Sequence, residues 1–290
     1  MRAYPSIGLL LIAILGAGGC ASFDKPSEGA PAGAKTLLAW QAGPEPEKIG
    51  DDVGDAEEPS KIVTDRPDFT EASSTVGRGR VQLEAGYTYI RGSDGVARHS
   101  YPEPLLRVGL FADWFEARLG QNFTNTRAGG NTADDLYVGA KLGLTEQKAF
   151  FPEVAVIFQA TVPTGSKDTS SGKFQPGLSY LYGWDVNDFI SIAGSTQGNA
   201  RVDDGGASFF QLAQSGTVGY TLTDKLGAYT EFFALFPHGA QAPDTAPQYY
   251  FNGGFTYKFT DNFQYDVRAG VGLNRHADDY FLGTGFAVRY

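Results

Sequence analysis

The sequence predicts an all-β protein: a single up-and-down antiparallel barrel of about twelve strands that crosses a membrane, preceded by an unstructured tether. Three observations carry this expectation. After residue 80, apolar residues alternate with small or polar ones, the period-two signature of strands with two different environments on their faces. Short polar breaks recur about every 35 residues, separated by longer loops, as in a hairpin-length repeat. Aromatic residues gather beside the short breaks, where amphipathic rings sit at a membrane interface.

Composition agrees. The chain has 38 Gly, 15 Tyr and 21 Phe against one Cys and one Met, so close backbone approach and aromatic belts enrich together. Its formal net charge of −10 leaves no basic stripe to neutralise phosphates, which argues against nucleic acid as a partner. The first element, residues 1–19, reads as a signal peptide: Arg2, an apolar run from Ile7 to Leu15, then the small residues Gly16 to Gly19. No later run reaches the length of about 18 apolar residues that a spanning helix needs, so membrane residence requires a closed barrel.

Cys20 stands where that signal ends. "AGGC" resembles the lipobox of bacterial lipoproteins, which implies acylation of Cys20, although Ala17 replaces the usual Leu. Ala21 and Ser22 follow, and the lack of an adjacent Asp suits the outer membrane in that family. The other reading is a plain signal cut with Cys20 incidental. Residues 20–60 form an acidic Pro/Ala/Gly-rich segment that cannot bury enough apolar surface to offset its ordering entropy, and it is expected to be disordered. Its one apolar patch is "TLLAWQ", Thr36 to Gln41.

Residues 61–79 carry "TDRPD". Asp65, Arg66, Pro67 and Asp68 are compact and charged, and Pro67 biases Arg66 toward an extended backbone. Two readings stand: a polar lead-in turn, or a plug in the periplasmic mouth whose Arg66 and acids pair with lumen residues such as Arg289 or Glu84.

The barrel is assigned to residues 80–290. The short breaks fall at Ala112-Asp113, Thr145–Lys148, Val186–Asp188, Thr223-Asp224 and Thr260–Asn262. The longer loops are placed at Gly92–Ser100, Thr124–Thr132, Thr164–Lys173, Gly198–Ala207, Pro237–Ala246 and Asn274–Ala277. That asymmetry puts both ends of the barrel at the periplasm. Phe111, Trp114, Phe150, Phe151, Trp184, Phe189, Phe259 and Phe263 supply the expected girdle.

Opposite the apolar face lie Glu84, Arg107, Glu116, Arg118, Lys141, Glu231, Asp266, Arg268 and Arg289. A base turned to lipid at the midplane costs about 2–4 kcal/mol, so these residues are assigned to the lumen. They would either brace the interior as a ladder of ion pairs or line a polar path, with Glu116/Arg118 and Asp266/Arg268 setting a transverse field. A barrel of this size lies between filled eight-stranded and open sixteen-stranded ones, so a narrow or partly plugged lumen is expected.

Phe286, Val288 and Tyr290 alternate to the last residue and resemble the C-terminal signal read by the bacterial barrel-assembly machinery. With outer-membrane lipids, that machinery is an expected partner; the oligomeric state is not fixed. Thr64–Glu71 with Gly79 and Gln82–Tyr87, together with "DLYVGAKLGL" and "ATVPTG", resembles the bacterial family labelled "putative MetA-pathway of phenol degradation". The resemblance spans Ile62 to Tyr290 and implies an outer-membrane, transporter-like barrel of a Gram-negative-type bacterium, with apolar or aromatic solutes suggested by the family label alone.

Enzymatic signals are weak. No G-x-S-x-G elbow occurs, six residues separate Gly165 from Gly172 where a P-loop has four, and His99, His238 and His276 sit in loops or at strand ends. His276 near Asp278 and Asp279 is the one grouping that could suggest a surface hydrolase. "RVDDGG" lacks a third spaced metal ligand. The expectation is a non-enzymatic channel for small molecules, passive or gated, without cofactor or metal. The alternative is a closed structural or anchoring barrel.

Overall fold

The computed structural model describes residues 35–42, 61–126, 130–242 and 245–290. The signal segment, Cys20 and most of the expected tether lie outside these. The chain forms one closed antiparallel barrel of twelve staves built from fifteen strands. Nine staves are single strands: β1 (Val81–Arg91), β8 (Glu153–Val162), β9 (Gln175–Asp185), β10 (Ile190–Val202), β11 (Ser208–Thr221), β12 (Leu226–His238), β13 (Gln248–Thr260), β14 (Phe263–Gly272) and β15 (Tyr280–Arg289). The other three are each broken once, as β2 (Ala97–Tyr101) with β3 (Leu105–Gly109), β4 (Phe115–Gly120) with β5 (Phe123–Thr126), and β6 (Gly130–Ala133) with β7 (Leu136–Thr145).

Closure joins the last strand to the first. Gln82 pairs with Arg289, Gly86 with Gly285 and Arg91 with Tyr280. The backbone of Tyr290 exchanges hydrogen bonds with Val81 at 2.8 and 3.0 Å, so pairing continues to the final residue. Closure removes the unpaired edges that lipid cannot hydrate. Alternation divides the faces as expected: Leu83, Tyr87, Phe158, Ile192, Phe232, Phe251, Val267, Leu282 and Phe286 are exposed toward the membrane, while Gln82, Glu84, Arg107, Glu116, Lys141 and Asp266 are buried inside.

Several boundaries differ from the sequence reading. β2 and β10 extend into stretches assigned to loops, and Thr124–Thr132 contains the β5–β6 hairpin. Register along these strands is set by continuous ladder hydrogen bonding, which overrides the loop-forming composition of Asn, Gly and Ser. The break between β2 and β3 falls at Pro102-Glu103-Pro104, where two residues without N–H groups cannot continue the ladder. Glu103 has φ 46°, and its side chain ends up among the lumen charges.

Two features lie outside the staves. The apolar patch in the tether is a short helix, α1 (Leu37–Ala42), with Trp40 packed 5.6 Å from Trp114. Trp114 is therefore covered and 9% exposed, rather than part of the lipid-facing girdle. The second feature is segment 61–80, an irregular chain within the barrel.

Candidate functional site

Segment 61–80 enters beside the β13–β14 turn, where the Ile62 N–H donates to the Asp261 carbonyl at 2.7 Å. It crosses the lumen past β15, β1 and β12, meets β8 through the Ser73 hydroxyl on Glu153 at 2.6 Å, and leaves along β4. At that exit the Val76 N–H donates to Glu116 at 3.0 Å and the Arg78 N–H to Asp113 at 2.7 Å. An irregular backbone is tolerable here because lumen side chains satisfy its polar groups.

Asp65 is the centre of the larger charge cluster. Its carboxylate accepts from Lys141 Nζ at 2.9 and 3.2 Å and from Arg118 at 2.5 Å, with Arg107 Nε 3.4 Å away. Its N–H donates to Glu84 at 3.0 Å. Arg107 also bonds Glu116 at 2.8 and 2.9 Å and Glu84 at 3.0 Å; Arg118 also bonds Glu116 at 3.1 Å and Glu71. Every charge in this cluster thus has opposite charges and hydrogen bonds around it, the condition under which buried ions are tolerated. Burial would raise the Asp65 pKa, but Arg107, Lys141 and Arg118 outweigh it and hold the carboxyl far below the usual range.

Arg66 anchors the segment on the other side. Its guanidinium donates to Glu103 at 2.8 Å, to both Asp266 oxygens at 3.3 Å and to the Thr284 carbonyl at 3.3 Å. The paired glycines Gly86 and Gly285 make room for it: a Cβ on either would lie 2.4 Å from a guanidinium atom. Arg268 donates to the Pro67 carbonyl at 2.7 Å and to Thr88 at 2.8 Å.

Glu231 forms a third anchor without a cation. It accepts from the N–H groups of Phe69 and Thr70, the Thr70 hydroxyl and the Asn252 amide, each at 2.7 Å. Phe69 stacks on Phe233 with ring centroids 4.5 Å apart, and Phe233 stacks on Tyr250 at 4.6 Å. Apolar stacking thus supports the polar anchor.

The structure brings all nine sequence-derived lumen residues onto this segment: Glu84, Arg107, Glu116, Arg118, Lys141, Glu231, Asp266 and Arg268, and also Arg289, through the Lys61 carbonyl. Arg289 departs from the expected pairing with the acids of TDRPD. It instead clamps the β13–β14 turn through Asn262 at 2.8 and 3.0 Å and reaches the Asp261 and Lys61 carbonyls. Likewise Arg66 pairs with Asp266 and Glu103 rather than Glu84, because its guanidinium fits the glycine slot between β1 and β15. Asp266 therefore serves Arg66, not the neighbouring Arg268. Sequence reasoning missed Glu71, Glu103, Thr70 and the two glycines. The Glu103 signal was available in its flanking prolines; the others depend on cross-strand register.

The histidine grouping does not assemble. Asp278 is engaged by Arg98, and His276 accepts from Arg275 at 3.0 Å. His99 lies against Tyr87, 2.8 Å from its hydroxyl. Among the described residues, no group of three or more His, Cys, Asp or Glu side chains could hold a metal ion.

Residues 64–290 match the family model described as "Putative MetA-pathway of phenol degradation". The chain belongs to that family. The fold of this family member is similar to that of an outer membrane channel from Pseudomonas putida F1, with TM-score 0.62 and 13% identity over 75% of this chain and 98% of the other. A KdgM porin solved with disordered oligogalacturonate gives TM-score 0.49 and 14% identity over 71% of this chain and 98% of that one. No curated protein matches the sequence.

Proposed function

We propose that this protein is a non-enzymatic outer-membrane channel for small molecules, and that its own segment 61–80 keeps the lumen shut. The observation that carries the reading is the Asp65 hub. A residue outside the barrel wall is bonded to cations from three staves, β3, β4 and β7. Such a cluster in a merely structural core could be replaced by apolar packing at no loss of stability, whereas a seat built of charges suits a segment that must leave and return. The nine lumen charges then act as the seat of the plug more than as a bare transverse field. Phe286, Val288 and Tyr290 fit a C-terminal assembly signal, and Cys20 fits an acylated tether.

Solutes pass when segment 61–80 shifts from its seat. An apolar or aromatic solute class has only the family description behind it. A closed anchoring barrel is the competing reading. Recordings on purified protein in planar bilayers separate the two: brief or small openings support a channel, and an absence of current across salts and voltages contradicts it.

A further inference from the structure

The inner wall changes character above segment 61–80. On β10, Ser195 is buried and meets the segment through Ser215, whose hydroxyl lies 2.7 Å from that of Ser195 and 2.6 Å from that of Thr70. Gln197 and Asn199 follow on the same face and are also buried. Arg201 is the next inward position, about 7 Å further toward the long loops, and it is partly exposed. The neighbouring strands repeat this step. Ser179 on β9 and Ala213 on β11 are buried, while Gln175 and Gln211, further along the same faces, are partly exposed. Above the seated segment, the β8–β11 wall therefore borders a recess that water reaches.

Arg201 differs from the cations below it. Arg66, Arg107, Arg118, Lys141 and Arg268 each have a carboxylate within 3.9 Å. Arg201 has no hydrogen-bond or ion-pair partner among the described residues, and none of their charged groups lies within electrostatic reach of its guanidinium. The nearby acids are committed elsewhere. Asp203 accepts from the N–H groups of Gly205, Ala207, Gln241 and Ala242, and Asp135 from those of Gly165 and Ser171 and from the Ser171 hydroxyl. A guanidinium withdrawn from bulk water without a counter-charge carries a desolvation cost that an incoming anion offsets.

Its surroundings suit one kind of anion. Gln175 and Gln211 share its inward face on the adjacent strands, and their side chains make no hydrogen bond among the described residues. Each offers an amide donor to a second oxygen. Phe209, paired with Arg201 across β10 and β11, puts a partly buried ring beside the guanidinium. We propose that Arg201 is the recognition site for a small organic carboxylate, gripped by the guanidinium fork with its apolar body against Phe209. The proposal rests on the channel reading and names the solute class that its lumen takes. It sets recognition ahead of the seated segment, on the long-loop side.

The test is binding of sodium benzoate to the full chain in phosphatidylcholine nanodiscs by saturation-transfer NMR, with empty nanodiscs as the baseline. Benzylammonium chloride is the probe with the same ring and the opposite charge. Benzoate is expected to bind, and benzylammonium about tenfold more weakly or not at all. Arg201→Gln should weaken benzoate about tenfold or more, and Arg201→Lys, which keeps the charge but loses the fork, should fall between. Arg98→Gln removes a cation that Asp278 already engages and should leave benzoate binding unchanged. Heat-modifiable gel migration shows that each variant keeps the barrel. Absent benzoate binding, equal binding of the two probes, or an Arg201→Gln effect no larger than that of Arg98→Gln overturns the proposal. Binding needs no current, so failure of the channel reading is seen separately, as an absence of current in planar bilayers while benzoate still binds.

Discussion

Lys141 and Asp65 meet inside the barrel with the ammonium 2.9 Å from one carboxylate oxygen and 3.2 Å from the other, although 76 residues separate them in sequence. The contact ties a wall strand to the segment that crosses the lumen. Removing one partner of such a buried cluster costs about 3–5 kcal/mol, because the remaining charges lose compensation. Asp65→Asn is therefore expected to unseat the segment while the barrel, closed by its own ladder, stays folded. Single-channel recordings should show more frequent openings, and heat-modifiable migration should be unchanged.

The glycine slot offers a test that leaves every charge in place. A Cβ at Gly86 would lie 2.4 Å from the Arg66 guanidinium carbon. Gly86→Ala should push Arg66 out of its bond with Asp266 and raise conductance as an Arg66 substitution does. Wild-type conductance in Gly86→Ala would mean that the guanidinium does not hold the segment.

Acidity should also move the equilibrium, in a direction fixed by the segment's carboxyls. Asp68 is raised by burial and by Glu231, with Thr217 and backbone hydrogen bonds opposing; Glu71 is raised by burial and by Asp65, with Arg118 opposing. A group raised in the seated state contributes stability at low pH and loses it as pH climbs through the raised value. Asp65 is depressed by its cations despite burial, so its contribution is present above its ordinary value and lost only in strong acid. Openings should thus increase as pH rises through the Asp68 and Glu71 range, and Asp68→Asn should flatten that rise.

At the short-turn end of the barrel, Trp40→Ala removes the ring that covers Trp114 at 5.6 Å. Tryptophan emission should shift to the red and acrylamide quenching should increase, because Trp114 becomes exposed. Conductance should stay at the wild-type value, since the groups that hold Asp65 come from Glu84, Arg107, Arg118 and Lys141 and not from α1.

Much of this architecture was legible in the sequence because a barrel wall imposes period two over long strands. Gln82, Glu84, Arg107, Lys141 and Asp266 could be assigned to the inside from alternation and the cost of charge in lipid. For Asp65–Asp68 the sequence left two readings open, a polar lead-in turn and a plug in the mouth, and the structure lays the segment across the lumen. Which charge meets which was not legible. Alternation gives the face of a residue but not its height, and pairing Arg66 with Asp266 depends on the β1–β15 register and on two glycines that have no local signature. The helix at Leu37–Ala42 was hidden for a different reason: six residues have little helical preference alone, and packing against Trp114 supplies what propensity does not. The breaks at Pro102–Pro104 split a stave that pattern alone treats as continuous.

The most direct measurement is the single-channel conductance of Arg66→Ala beside wild type in the same planar bilayer. Arg66 holds Glu103, Asp266 and the Thr284 carbonyl at once, so its loss should free the centre of the segment. Larger or longer openings are expected in Arg66→Ala at equal voltage and salt. Equal conductance in the two proteins would contradict the claim that segment 61–80 closes the lumen.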